Sequence, residues 1–537
     1  RGNIFYIKNN ILVSNKKVFD VYIIPENTTN INSTLNQISK IIKIDFEKRR
    51  KIFELSKKVK KFEKIKIFEN ISWEQLEKIE ANKLDIEGIF ISQDYLRVYN
   101  YGNIFSHLLG YINKPNQNEI SLPFIANMPD LDIGKEGIEK NLNPILIGKA
   151  GQREIEVNSS GRIIREISRL NSQKGKDLQI TLDLRLQKYA LSLLDNHRAG
   201  SIVVMNIKNG HILCMCSTPT YNPNKIINKP NKKYWDSLLK NDLSPLTYRS
   251  VQGLYAPGST FKMIVAIAGL YYGVIDEETS HYCSGKISLG NRIYHCWKNN
   301  GHGLMNVDGG IKESCDVFFY EISKKIGIDK IAKVAKDFGL GKVYDIPLNN
   351  QKTGIVPSKK WKKEKLGENW YPGETLISAI GQGFVLANPL QLANMTSIIA
   401  SEGNIIEPKI INDKIENETK NIFKYKDAIK IIKKSMFKVV NEINGTAFGS
   451  KLDEIKFSGK TGTSQVRRIT VAERESEDFR KKEIEWKKRD HALFVGYMPH
   501  DKPKYALSVV IEHGGSGASA AAPIANKLFK FINNSLS

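Results

Sequence analysis

The stretch Pro257-Gly258-Ser259-Thr260-Phe261-Lys262 constrains this chain more than any other. Pro and Gly interrupt whatever precedes it, and an apolar run at helical spacing, Met263 to Val274, follows at once. The pattern predicts a buried helix that begins at Ser259. Residues three apart share one helix face, so Lys262 stands one turn from Ser259, an amine beside a hydroxyl. A neutral amine there can accept the hydroxyl proton and activate the oxygen as a nucleophile. Lysine is neutral near pH 7 only where burial or a nearby cation lowers its pKa. The remainder of the fold has to supply one or both.

The chain has 537 residues, too many for one compact core, which predicts two or three domains. A division near Lys174 to Asp177 separates residues 1–176 from 177–537. The first part reads as mixed, with a strand at Val18 to Ile24, a helix at Ser33 to Ile42 and a basic, solvated helix from Phe46 to Lys64. Ser72 with Glu74 and Gln75 marks a further helix start, strands follow from Ile86 to Val98, and Ser160-Gly161 is a turn. Nothing in this part assembles into a catalytic cluster. The second part reads as a strand at Asp177 to Leu182, a helix from Asp183, a hairpin at Gly200–Asn206 and His211–Cys216, and a long helical region. Strands at Ile455–Phe457, Ala492–Tyr497 and Tyr505–Ile511 come next, then a last helix near Ala522-Pro523. Strands flanking a helical block predict an α/β (α+β) sandwich with a largely antiparallel sheet.

The formal net charge of +24 suits an anionic partner, but lysines are spread along the whole chain and no nucleic-acid-binding signature is present, which argues against nucleic acid. The longest apolar run falls short of the ~20 residues that span a bilayer. Five cysteines are too few for a disulfide scaffold.

Alone, Ser-x-x-Lys is a weak signal; it recurs at Ser14–Lys17, Ser237–Lys240 and Ser435–Lys438. Here it is followed by Ser314-Cys315-Asp316 and by Ser458-Gly459-Lys460-Thr461-Gly462-Thr463, whose glycines suggest room for a substrate backbone. A second Lys-Thr-Gly at Lys352 to Gly354 reads as a loop. The ordered triple Ser-x-x-Lys, Ser-x-Asn/Asp, Lys-Thr-Gly is the known signature of penicillin-binding proteins and class A β-lactamases. The chain resembles the class B penicillin-binding proteins, and within them the cell-elongation group. Arg1-Gly2-Asn3-Ile4 is similar to the motif just outside that family's membrane anchor, although Tyr6-Ile7 departs from the usual Asp-Arg. His107 to Tyr111, Gly134 to Glu139, Thr181 to Asp183, Gly381-Gln382-Gly383, Asn388 to Gln391, Gly301 to Gly303 and the charged insert Arg467 to Asp490 are similar to family segments as well.

The resemblance implies a peptidoglycan DD-transpeptidase that cross-links D-Ala-D-Ala stem peptides and is acylated by β-lactams. Residues 1–176 would be a pedestal and 177–537 the transpeptidase domain. Ser259 would be the nucleophile and Lys262 its base, with Lys460 the second cation that lowers the pKa of Lys262. Ser314 would relay a proton to the departing amine. Asp316, where Asn is more usual, could accept a hydrogen bond from Lys262, although its charge would oppose the lowered pKa. Lys460, Thr461, Gly462 and Thr463 would hold the substrate carboxylate, and the backbone N–H groups of Ser259 and Thr463 would form the oxyanion hole. Implied partners are stem peptides, a membrane glycosyltransferase of the elongation machinery and its associated shape proteins. The implied location is the inner membrane, through a single N-terminal anchor absent from this chain, with a periplasmic catalytic domain.

The chemistry needs no cofactor, but Cys283, Cys296, His302 and Cys315 form a possible zinc set, three thiolates and an imidazole. Cys315 lies between Ser314 and Asp316, so a metal there would brace the catalytic loop from behind. A disulfide, buried free thiols, and His281 or His295 as ligands are alternatives; Cys214 and Cys216 read as packing. Two other functions stay open. A serine β-lactamase would need a deacylating base and is usually one domain; a β-lactam sensor would need a signalling element.

Overall fold

The computed structural model describes residues 1–6, 10–120, 125, 131–159, 163–227, 231–412, 420–467 and 484–536. The turn read at Ser160-Gly161 and residues 468–483 of the charged insert lie outside them. The chain forms two compact units, one of Arg1–Ile4, Ile11–Asn100 and Pro144–Asp177, the other of Phe5–Asn10, Tyr101–Asn143 and Leu178–Ser537. A division at 176 in sequence therefore differs from the spatial one, because segments 5–10 and 101–143 fold with the second unit.

In the first unit one long strand, Asn10–Ile23, pairs antiparallel with Ile65–Phe68 and with Ile89–Tyr99. Helices Ile31–Ser39, Phe46–Lys58 and Trp73–Ala81 complete it. Side chains spaced by two on the strand and by three or four on the helices meet in one core, which includes Val21, Ile23, Leu35, Ile38, Ile52 and Ile79. The basic helix Phe46–Lys58 buries only Ile52 fully, as its composition predicts. Ser72 and Gln75 form the reciprocal capping box that starts the third helix.

The second unit is built on an antiparallel sheet. Strands β1 (Gly200–Asn206) and β2 (Ile212–Thr218) are the predicted hairpin. Then come helices α1 (Lys262–Tyr271), α2 (Asp316–Ile326), α3 (Pro389–Ala400) and α4 (Lys426–Asn441). Strands β3 (Ser458–Ser464), β4 (His491–Met498) and β5 (Tyr505–Ile511) precede the last helix, α5 (Ala522–Leu536). The strand order is β2-β1-β5-β4-β3, so β3 is an edge. The sequence places a strand at Ile455–Phe457, whereas the strand is the Lys-Thr-Gly segment itself. Two glycines weaken it locally, and the ladder to β4 makes it a strand.

Helix α1 is apolar all round and buried from Lys262 to Gly269, and every residue of α3 is buried where it packs against β5 and β1. Such helices are core elements, and a side chain fixed on α1 is fixed relative to the sheet. Among the described residues, no helix is long and apolar enough to cross a membrane.

Candidate active site

Ser259 lies half-buried in a 3-10 turn, Gly258–Phe261, that runs directly into α1. Residues three apart eclipse on such a turn, and the Lys262 backbone N–H donates to the Ser259 carbonyl. The turn depends on Gly258, whose φ is +55° and whose Cβ, if it had one, would sit 2.5 Å from the Thr463 carbonyl oxygen. From the other side, a Cβ on Gly462 would lie 2.9 Å from the Pro257 carbonyl oxygen. The sequence suggests substrate as the reason for Gly462; in the structure the serine turn itself fills that space. The close approach sets the backbone of Thr463 beside the turn that carries Ser259.

Lys262 is fully buried. Its ammonium donates to Asp316 Oδ1 at 2.6 Å, to the Ser314 carbonyl at 2.8 Å and to Ser314 Oγ at 3.2 Å. Three donors meet three acceptors. Asp316 begins α2, and Ser314, two residues earlier, has a left-handed backbone with φ +59°. That conformation costs a non-glycine residue roughly 1–2 kcal/mol and turns the chain so that the side chain and carbonyl of Ser314 both face Lys262. Burial pushes the Asp316 carboxyl above its ordinary value, against the pull of Lys262.

Lys460 is buried on β3, and its Nζ donates to the Thr461 carbonyl at 3.2 Å. Burial first, and then the charge of Lys262, push Lys460 well below the ordinary lysine value. Lys262 holds an ion pair with Asp316, whereas no carboxylate pairs with Lys460 among the described residues. The Thr461 hydroxyl shares a 2.7 Å hydrogen bond with Thr446, and Thr463 is half-buried. Lys352 to Gly354 is a loop, as read.

Cys283, Cys296, His302 and Cys315 also come together, their ligand atoms all within 4.8 Å of one another. His302 Nδ1 is 3.6 Å from Cys283 Sγ and 3.4 Å from Cys296 Sγ. The Cys315 hydrogen bond, with His302 adding to it, pulls the Cys296 thiol far below its ordinary value, and the same contact pushes Cys315 up. His302 Nε2 is buried with no hydrogen-bond partner. None of the five cysteines is in a disulfide. Cys214 and Cys216 are buried on β2 and belong to no ligand set among the described residues.

Three further residues take part that sequence reasoning missed. Gln382 donates from Nε2 to the Thr463 carbonyl at 2.9 Å; its Gly-Gln-Gly setting was visible but had no chemistry attached. Trp297 reaches both Ser314 and Asp316, and its one signal in sequence is adjacency to Cys296. Thr446 has no sequence signal.

Comparison with known proteins gives the family. The family model "Penicillin binding protein transpeptidase domain" matches residues 200–530, and "Penicillin-binding Protein dimerisation domain" matches residues 1–180. The peptidoglycan D,D-transpeptidase MrdA of Haemophilus influenzae is 31% identical, over 99% of this chain and 84% of that protein. The solved complex of Penicillin-Binding Protein (PBP2) and MreC from Helicobacter pylori superposes with a TM-score of 0.87 at 30% identity, covering 99% of this chain and 97% of that one. Pseudomonas aeruginosa PBP2, solved with WCK 5153, gives 0.73 at 27% identity, covering 99% of this chain and 94% of that one. With a transpeptidase model over most of its length and a curated relative spanning nearly all of it, the chain belongs to the penicillin-binding protein family of peptidoglycan D,D-transpeptidases.

Proposed function

We propose that the chain cross-links D-Ala-D-Ala stem peptides through a Ser259 acyl-enzyme during cell elongation. The observation that carries this reading is the buried contact with Ser314 and Asp316 of Lys262, three residues after Ser259 at the end of the same turn. A saturated ammonium cannot accept a proton, so one Lys262 proton first passes to Asp316, 2.6 Å away. The neutral amine then takes the Ser259 proton as Oγ bonds to the carbonyl carbon of the penultimate D-Ala. The oxyanion lies between the Ser259 and Thr463 N–H groups. The C–N bond to the terminal D-Ala breaks, and Ser314 relays a proton from Lys262 to that amine. A second stem peptide's amine attacks the ester carbon and gives its proton to the neutral Lys262, which passes it to Ser259 Oγ as the carbon–oxygen bond breaks, and Asp316 then returns its proton to Lys262. Lys460, Thr461 and Thr463 suit the substrate carboxylate.

A zinc ion fits the Cys283, Cys296, His302, Cys315 set. Bond lengths of about 2.3 Å to sulfur and about 2.1 Å to nitrogen give a tetrahedral S···N edge of about 3.6 Å. The observed separations are 3.6 and 3.4 Å. The ion would supply structural cross-linking behind Ser314 and Asp316 and take no part in acyl transfer. Residues 1–176 act as the pedestal on which a membrane glycosyltransferase and a shape protein such as MreC dock, with the catalytic domain in the periplasm on a single anchor.

The test is labelling with a fluorescent penicillin, followed by peptide mapping and a time course. A stable adduct on Ser259, absent from Ser259→Ala, supports the reading. An adduct that disappears within seconds makes the protein a β-lactamase, and no adduct on folded protein overturns the catalytic assignment.

A further inference from the structure

We propose that Trp297 is a positioning residue for acylation, holding in place the two groups that hold Lys262. The proposal rests on Lys262 as the base for Ser259. The Trp297 backbone N–H donates to Asp316 Oδ2 at 2.9 Å, while Lys262 takes the other carboxylate oxygen at 2.6 Å. The indole Nε1–H donates to the Ser314 carbonyl at 3.1 Å and to the Glu313 carbonyl at 3.2 Å. That Ser314 carbonyl is the same oxygen that accepts from Lys262 at 2.8 Å. One residue thus shares both a carboxylate and a carbonyl with the base. The carbonyl belongs to a residue at φ +59°, a conformation that needs outside contacts to persist.

Packing does not explain the tryptophan. Its side chain is largely exposed, at 59%, so burial contributes little, whereas its two N–H groups are both spent on the loop from Glu313 to Asp316. Its ring meets His302 edge-on at 5.4 Å, and the preceding residue, Cys296, accepts from the Asp316 backbone N–H at 3.4 Å. The Cys-Trp pair therefore joins the cysteine–histidine cluster to the base in two residues. A rival role is to prop that cluster alone, and metal content separates the two.

The experiment compares the wild type, Trp297→Phe and, as a control, Ile293→Ala, an exposed position outside the site. Stopped-flow acylation by a fluorescent penicillin resolves the dissociation constant of the first complex from the acylation rate constant. Phe keeps an aromatic ring and the backbone N–H and removes the indole donor. We expect the rate constant to fall about tenfold with the dissociation constant little changed, and metal content and Tm to match the control. An unchanged rate constant overturns the proposal. So does a change confined to the dissociation constant, which would mean ligand contact. So does loss of metal or of the fold, which would mean a prop. If the wild type itself fails to label at Ser259, the functional reading falls, and that result is distinct from a defect confined to the variant.

Discussion

Lys262 and Lys460 are two fully buried lysines whose charges oppose each other in one site, and only Lys262 has a carboxylate partner among the described residues. A buried ammonium without a counter-ion destabilises a fold. Lys460 is therefore kept at the expense of stability.

Replacing Lys460 with Met keeps most of the volume and removes the charge. Lys460→Met is expected to raise Tm by a few degrees, equivalent to about 1 kcal/mol or more, while losing acylation by β-lactam. Thermal melts with a labelling assay check this. A lower Tm would mean that Lys460 is better solvated or paired than it stands in the structure.

Asp316 answers the opposite charge. Asp316→Ala leaves Lys262 buried without its counter-ion and is expected to cost about 3 kcal/mol. Asp316→Asn keeps an oxygen for Nζ and should cost less than half of that. Urea unfolding of the pair measures the difference, and equal losses would rule out the ion pair as the cause.

His107 sets an acid limit on stability. Burial pushes its pKa down to about 4, against the 2.7 Å contact of Nε2 with the Pro245 carbonyl and with the Arg249 charge adding to the lowering. The unfolded chain binds a proton there near pH 6.5 and the folded chain only near pH 4, so the unfolded state gains between those values. Stability should be full above pH 6.5 and fall by roughly 3 kcal/mol from this residue as pH drops to 4. Tm against pH should flatten in His107→Asn. His491, also pushed down to about 4, first by burial and then by His513, leaves a residual slope over the same window.

Metal removal tests the cysteine–histidine cluster. Protein purified without chelator is expected to carry one zinc per chain, and prolonged dialysis against a strong chelator should lower Tm and slow acylation. Cys283→Ser should reproduce both effects, since Cys283 lies beside His302 yet outside the catalytic loop. Metal-free protein with unchanged Tm would identify the cluster as packed thiols.

Local patterns were legible where a residue's partners are close in sequence or its period is regular. The β1–β2 hairpin, the capping box at Ser72 and the apolar helix after Ser259 all follow from turn chemistry, end groups and spacing. The strand containing Lys460 was harder, because its glycines contradict strand propensity and only the ladder to β4 overrides them.

By itself the sequence determined the order of the three motifs and the chemistry each can carry. Tertiary structure decided which lysine is paired and which is pushed down, that Trp297 and Gln382 reach the site, and that Gly462 admits the serine turn. The reason is distance along the chain. Lys262 meets Asp316 across 54 residues and Gln382 meets Thr463 across 81, and contacts that remote are set by how the sheet and its buried helices pack, which no local spacing encodes.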